Sequence, residues 1–339
     1  MNNLAVFPLY FILFYLIGFI LKKTNFLVDK TNFSKHKKFI SKKEVPISGG
    51  ILFYTLILLF FEGFNFADKI YLFLILLVGL LSDINILRSA LKRLILQSLI
   101  IISYVYVQEI HVLETRIEFF DELLESNHYI SLIFCSFCII TLVNGTNFID
   151  GTNALASGYI LTVLVGLTLF LINFESNYED KNIQTLIYFL IVFLIFNFFS
   201  FSYLGDGGSY LISFILGIIC IDFSNIFVYL MSPYFIVLLL WYPALENLFT
   251  IIRRGIMEKK NVNSADNLHL HHLIFKFFKK LIKKDQTSST LTGVLINFVI
   301  LIFILFGIYF ANDTKMLLLL IFLKTMIYFY SYTSLKKFK

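Results

Sequence analysis

"YISLIFCSFCIITLVNGTNFIDGTNALASGYILTVLVGLTLFLINF", residues 129–174, decides how this chain folds. Two apolar runs, 129–143 and 155–174, flank eleven residues that hold three asparagines, two threonines, two glycines and an aspartate. Apolar runs approaching ~20 residues span a bilayer as helices, because lipid offers backbone N–H and C=O groups no partner outside the segment itself. The same alternation of greasy run and polar break recurs along the chain.

Composition agrees. Of 339 residues 58% are hydrophobic, 41 are phenylalanine, and the mean hydropathy is +0.83. A water-soluble core cannot hide that much apolar side chain, so the fold class expected is all-α, a polytopic integral membrane protein forming one domain over 1–339. The first run, "LAVFPLYFILFYLIGFIL" (4–21), has no basic residue before it and two lysines after it. A secretory signal peptide has the opposite flanks, so this run reads as a retained anchor. Three cysteines are too few for a disulfide framework, and Cys135 and Cys138 sit inside an apolar run as core filling rather than as a redox or metal pair. Nothing in the sequence points to a nucleic-acid partner; the partner it demands is the lipid bilayer.

Eleven spans are expected, near 4–21, 47–61, 70–82, 94–108, 129–143, 155–174, 183–203, 208–221, 226–249, 291–311 and 316–333. Cytoplasmic loops carry the excess of Lys and Arg. With the first residue outside, the inner segments 22–46, 83–93, 144–154, 204–207, 250–290 and the tail carry 8, 3, 0, 0, 9 and 3 basic residues, 23 of the 28 in the chain. The outer loops hold Lys69, Arg116, Lys181 and Lys315, and "EIHVLETRIEFFDELLESNH" (109–128) is acidic.

Five polar stretches then fall on the inner face: "KKEVPISGG", "GLLSDINILRSALKR", "NGTNFIDGTNALASG", "YLGDGGSYL" and "RRGIMEKKNVNSADNLHLHH". Carboxylates and amides at a membrane boundary are costly and usually face a cavity or a ligand. One cytoplasm-facing site built from five loops is the economical reading. Asp83, Asp150 and Asp206 each end or follow an apolar run there. Singly they would read as helix caps or turn residues. Three together suit Mg²⁺, a hard ion that takes carboxylate oxygens and fills its shell with water and substrate phosphates. Glycines after Asp150 and Asp206 would let backbone approach a ligand.

"HLHH" puts His269, His271 and His272 within four residues, beside Arg253, Arg254, Lys259 and Lys260. The spacing suits a phosphate clamp better than a zinc site, which would want helical i,i+4 spacing and further ligands; a solvated loop is the remaining reading. From there "LIFKFFKKLIKK" repeats lysines at 276, 279, 280, 283 and 284, with Ile274, Phe277, Phe278, Leu281 and Ile282 in the same rhythm. That pattern predicts an amphipathic helix within 271–284 lying on an anionic leaflet. Carboxylates for a metal, cations for phosphate and a place at the bilayer surface together suggest phosphoryl transfer between a soluble donor and a lipid acceptor, both anionic.

The set "PISGG", "GLLSD" followed by "LKRLILQ", "NFIDGTNALASG", "FNFFSFSYLGDGGS" and "ADNLHLHH" resembles the polyprenyl-phosphate N-acetylhexosamine-1-phosphate transferases, with the peptidoglycan translocase for phospho-N-acetylmuramoyl-pentapeptide as a cousin. The resemblance runs from about residue 40 to 275. It implies transfer of a sugar 1-phosphate from a UDP-sugar to undecaprenyl phosphate with release of UMP, at a bacterial inner membrane, with Mg²⁺ or Mn²⁺, as the first membrane step of a glycan such as O-antigen, and it suggests a homodimer. By resemblance Asp206 is the metal ligand, Asp150 and Asn147 line the nucleotide pocket, His269, His271 and His272 bind diphosphate, and Asp83 is the second aspartate of a pair. Lys43 (or Lys42), Asn153 and Arg254 are further substrate contacts.

Three departures stand out. Ser82 replaces the first aspartate of that pair, Asn153 replaces the second aspartate of a "DGxDG" pattern, and "KKNVNSADN" lacks the Gly and Ser-Pro-Phe usual before the histidines. "HLHH" itself favours the O-antigen branch over the peptidoglycan translocase. A non-catalytic relative, suggested by Ser82, and a transporter stand as alternatives; the chain shows no clear internal repeat of the kind transporters carry.

Overall fold

The computed structural model describes residues 3–29, 44–176, 178, 180–257 and 268–337. The protein is an all-α, multi-pass membrane protein. Its helices are α1 (Asn3–Thr24), α2 (Gly49–Phe60), α3 (Phe66–Asp83), α4 (Ala90–Val107), α5 (Glu118–Ser126), α6 (His128–Ile149), α7 (Ala156–Asn173), α8 (Lys181–Phe198), α9 (Gly205–Ile226), α10 (Pro233–Ile252), α11 (Leu270–Ile282), α12 (Asp285–Tyr309) and α13 (Thr314–Lys337). Among the described residues, eight of these helices, α4, α6 to α10, α12 and α13, are long and apolar enough to cross a membrane by length and composition alone. The other three expected spans coincide with α1, with the 12-residue α2, and with α3, which carries Asp68, Lys69 and Asp83. A two-residue antiparallel ribbon, β1 (Val28–Asp29) with β2 (Val45–Pro46), leads into α2.

Short polar residues fix where helices begin, because the first turn has backbone N–H groups without partners. Asn65 and Asp68 form a reciprocal capping box at α3. Asn127 caps α6, Asp180 caps α8, and Ser232 caps α10 ahead of Pro233, whose missing N–H costs nothing there.

α9 is the most deeply buried of the candidate spans, packed among α2, α3, α6 and α7. The crossings have almost no thickness. A Cβ on Gly79 of α3 would fall 2.4 Å from the Cα of Gly207, and one on Gly50 of α2 would fall 2.8 Å from the nitrogen of Gly208. Such direct backbone contact is how helices associate in lipid, where no hydrophobic force drives them together.

α10 is interrupted by Pro243, which cannot donate to the carbonyl of Leu239 four residues back. Tyr159 Oη donates to that carbonyl at 3.1 Å, and Lys324 Nζ donates to the neighbouring carbonyl of Leu238 at 2.9 Å. Lys324, a charge within α13, is thereby buried and committed to α10.

Several expected boundaries move: the ninth span begins at Pro233 rather than near 226, the tenth at Asp285 rather than near 291, and the seventh ends at Phe198 rather than near 203. The polar insert is not a loop throughout: α6 continues to Ile149, so Asn144 and Asn147 are helical, Asn144 folding back on the carbonyl of Ile140 at 2.9 Å. α9 starts at Gly205 rather than near 208, placing Asp206 in its first turn. The predicted amphipathic helix is α11, which ends where Lys283 turns to φ 59°.

Candidate active site

The C-terminal ends of α3 and α6 and the N-terminal ends of α2 and α9 meet at one end of the bundle. At their junction Asp206 is held by three donors. Ser82 Oγ donates to Oδ2 at 2.5 Å, Arg93 Nη1 donates to Oδ2 at 2.8 Å and to Ser82 Oγ at 2.5 Å, and Asn147 Nδ2 donates to Oδ1 at 2.8 Å. The carboxylate remains a quarter exposed, its side chain at 24%.

Asp83 faces the same helix differently. Its two oxygens accept the backbone N–H groups of Asp206 and Gly207, each at 3.0 Å. α9 has no cap of its own at Leu204, so Asp83 reaches across from α3 to cap it, and negative charge there also suits the positive end of the helix dipole. Gly205 permits the approach: its φ is +73°, and a Cβ would lie 2.8 Å from the Asp83 carboxylate. The "PISGG" stretch closes the other side, where Ser48 Oγ meets Ser202 Oγ at 2.6 Å and Gly49 N–H donates to Tyr203 O at 3.2 Å.

A second cluster lies across the end of α6. The His269 and His271 rings are 5.4 Å apart and nearly parallel at 12°, and His271 and His272 are 4.2 Å apart. His269 packs 5.8 Å from Phe148, and a Cβ on Gly151 would fall 2.4 Å from His271 Nε2. Five consecutive residues, Asn147 to Gly151, therefore join the Asp206 cluster to the histidines, with Asp150 as the C-cap of α6 between them. His271 is fully buried and neither ring nitrogen has a hydrogen-bond partner. Burial, with His272 and His269 adding to it, pushes its pKa well below the ordinary imidazole value. A neutral imidazole in that setting can still donate one N–H to a phosphate oxygen.

The glycines read as making way for a ligand instead make way for protein: Gly151 for His271, and Gly207 for Gly79 and Leu80. Asn153 is not brought into the site. It is buried, donates from its side chain to Ser200 Oγ at 2.7 Å and from its backbone N–H to Ser289 Oγ at 2.8 Å. Arg253 and Arg254 are both buried in a π-helical turn (Arg253–Met257) that continues α10 toward the histidines. Lys42, Lys43, Lys259 and Lys260 lie outside the described residues. Among the described residues no three His, Cys, Asp or Glu side chains form a metal cage.

Two residues escaped the sequence reading. Arg93 sits in the "LKR" run, where it reads as one more basic loop residue. Glu246 is a lone carboxylate within the apolar run "PALENLFTII", and that isolation is itself the signal that could have found it. It is fully buried, its Oε2 lies 3.1 Å from His269 Nδ1 and its Oε1 accepts the N–H of Leu270 at 3.1 Å.

Comparison with known proteins places the chain among sugar-phosphate transferases. A sequence model described as glycosyl transferase family 4 matches residues 66–224, from α3 through most of α9. It takes in Asp83, Asn147, Asp150 and Asp206 and stops short of the histidines. The chain is 28% identical over 143 residues to the "Probable undecaprenyl-phosphate N-acetylglucosaminyl 1-phosphate transferase" of Bacillus subtilis (strain 168), covering 41% of this chain and 39% of that protein. It is 30% identical over 217 residues to the "Phospho-N-acetylmuramoyl-pentapeptide-transferase" of Dictyoglomus turgidum, covering 61% of this chain and 68% of that one. The matched stretch thus spans well under half of the first relative and about two thirds of the second.

Proposed function

This chain belongs to glycosyl transferase family 4, and on that premise we propose that it transfers a HexNAc 1-phosphate from a UDP-HexNAc to undecaprenyl phosphate, releasing UMP. The reaction would take place on the cytoplasmic side of a bacterial inner membrane, as the first membrane step of a cell-surface glycan such as O-antigen. The observation that carries the reading is the seam Asn147–Gly151, which sets Asp206 and its donors on one side and the buried histidine trio on the other.

In the proposed step an oxygen of the lipid phosphate attacks the sugar-bearing phosphorus, a new P–O bond forms, and the bond to UMP breaks. No base need act on the acceptor, since a phosphate monoester with a second pKa of about 6 is mostly dianionic near neutral pH. His269, His271 and His272 supply donors, and Arg254 positive charge, to the diphosphate. Asn147 and Asp150 line the nucleotide, and Asp83 positions α9. Ser82 fits this scheme, because a hydroxyl can donate to Asp206 where a second carboxylate would repel it.

The donor set also fits Mg²⁺, with Mn²⁺ as substitute. Asp206 accepts three donors where a carboxylate offers about four lone-pair positions, is partly exposed, and would serve as the protein ligand of an ion that takes one or two carboxylates and completes its shell with substrate phosphates. When bound, the ion would neutralise charge on the pyrophosphate oxygens. We assign Arg93, which ion-pairs with Asp206, as a further cation for substrate phosphate.

The test is UMP release from a panel of UDP-HexNAc donors with undecaprenyl phosphate in detergent, including UDP-N-acetylmuramoyl-pentapeptide for the reading suggested by the second relative. Turnover with one donor, lost in Asp206→Asn, is expected. Correctly folded protein that turns over no donor overturns the proposal.

A further inference from the structure

We infer that Glu246 is a positioning residue that sets both the start of the histidine loop and the tautomer of its first histidine; the inference rests on the transferase reading above. Glu246 lies in α10 three residues after the Pro243 break and has no exposed surface. A buried carboxyl group is costly and persists where its partners compensate, and the phenols of Tyr242 and Tyr328 lie beside this one. Here the two oxygens do separate work.

Oε1 accepts the N–H of Leu270, the first residue of α11, at 3.1 Å. His269, the residue at the cap position, makes no side-chain cap of its own. Glu246 therefore caps α11 from another helix and fixes where the loop ends and the helix starts. Oε2 meets Nδ1 of His269 at 3.1 Å, with Thr250 Oγ1 3.3 Å from the same nitrogen. A carboxylate holds Nδ1 as the donor and leaves Nε2 as the acceptor of the neutral ring. Because the His269 ring stacks on His271, and His271 packs at a 49° tilt against His272, fixing the first ring constrains the trio. A residue retained only as a helix cap would need Oε1 alone.

Glu246→Gln separates the two roles. Its amide oxygen can still cap Leu270, but its NH₂ group facing Nδ1 makes that nitrogen an acceptor and moves the proton to Nε2. With ¹⁵N-histidine-labelled protein, the spectrum of the unsubstituted chain is expected to show an Nδ1-protonated histidine that vanishes in His269→Asn. In Glu246→Gln that signal is expected to shift to the Nε2-protonated form with little change in melting temperature. In turnover, Glu246→Gln should lower kcat/KM roughly 10–100-fold, as loss of a partner that orients a working histidine does elsewhere. The double substitution should be no worse than His269→Asn alone, because both act through one ring. An unchanged His269 tautomer in Glu246→Gln, or losses that add fully in the double variant, overturns the inference. If the unsubstituted protein turns over no UDP-HexNAc, the transferase reading falls and the tautomer measurement alone decides the role of Glu246.

Discussion

Ser82 shows how little separates a working carboxylate from a frustrated one. Its hydroxyl bridges Arg93 and Asp206, and an aspartate there would press a second negative charge against the first. Ser82→Asp is expected to lower the melting temperature in metal-free buffer and to enlarge the stabilisation given by Mg²⁺, both read by a thermal melt with and without the ion. His271 carries a pH signature. Its folded pKa is depressed, so the unfolded chain takes up a proton near pH 6.5 that the folded loop refuses, and stability is lost as pH falls through that value. The melting temperature should drop between pH 7.5 and 5.5, with a smaller drop in His271→Asn. The aspartates and the histidine trio were legible in the sequence because polar groups at a membrane boundary are conspicuous. The tertiary setting of Asn153 was not legible: its side-chain amide donates to Ser200 and its backbone N–H to Ser289, 47 and 136 residues away, beyond any local pattern.

At the level of elements, Asp83 is first of all a borrowed cap. Its removal strips two N–H groups of α9 of their acceptor, and Asp83→Ala is expected to cost about 0.5–2 kcal/mol of stability, as loss of a capping residue does, in a denaturation series in detergent. α11 presents a different test. Its first six residues, Leu270 to Phe275, are buried, while Phe277, Lys280, Leu281, Lys283 and Lys284 are exposed. We propose that this end lies on anionic lipid. Reversing Lys280, Lys283 and Lys284 to glutamate should abolish any rise in turnover on adding anionic phospholipid while leaving turnover in neutral detergent intact. The long helices were readable from apolar runs, but the acidic α5, inside an expected outer loop, and the helix ends were not. α6 outlasts its greasy stretch by six residues, Asn144 to Ile149, because Asn144 bonds back to its own helix and Gly145 lets α10 approach, a Cβ there falling 2.6 Å from the carbonyl oxygen of Pro243.

For the whole molecule, the basic loops predict that Lys283 and Asp313 lie on opposite sides of the membrane. Single cysteines placed at 283 and 313, in a chain whose Cys135, Cys138 and Cys220 are replaced, should be labelled by an impermeant thiol reagent from opposite sides of sealed vesicles. Labelling from the same side would refute the orientation. The bundle is also unevenly tolerant. Gly79→Ala pushes a methyl into Gly207 and should destabilise by about 1–3 kcal/mol, the cost of overpacking. That backbone-to-backbone contact has a mechanical consequence. α3 and α9 are clamped where Asp206 is mounted, so this flank cannot part to admit a bulky sugar nucleotide. Hydrogen exchange there should be the slowest in the protein. Under the proposed transfer the donor is expected to enter by the opposite wall, past the histidine trio at the head of α11, a helix held against α12 and α13.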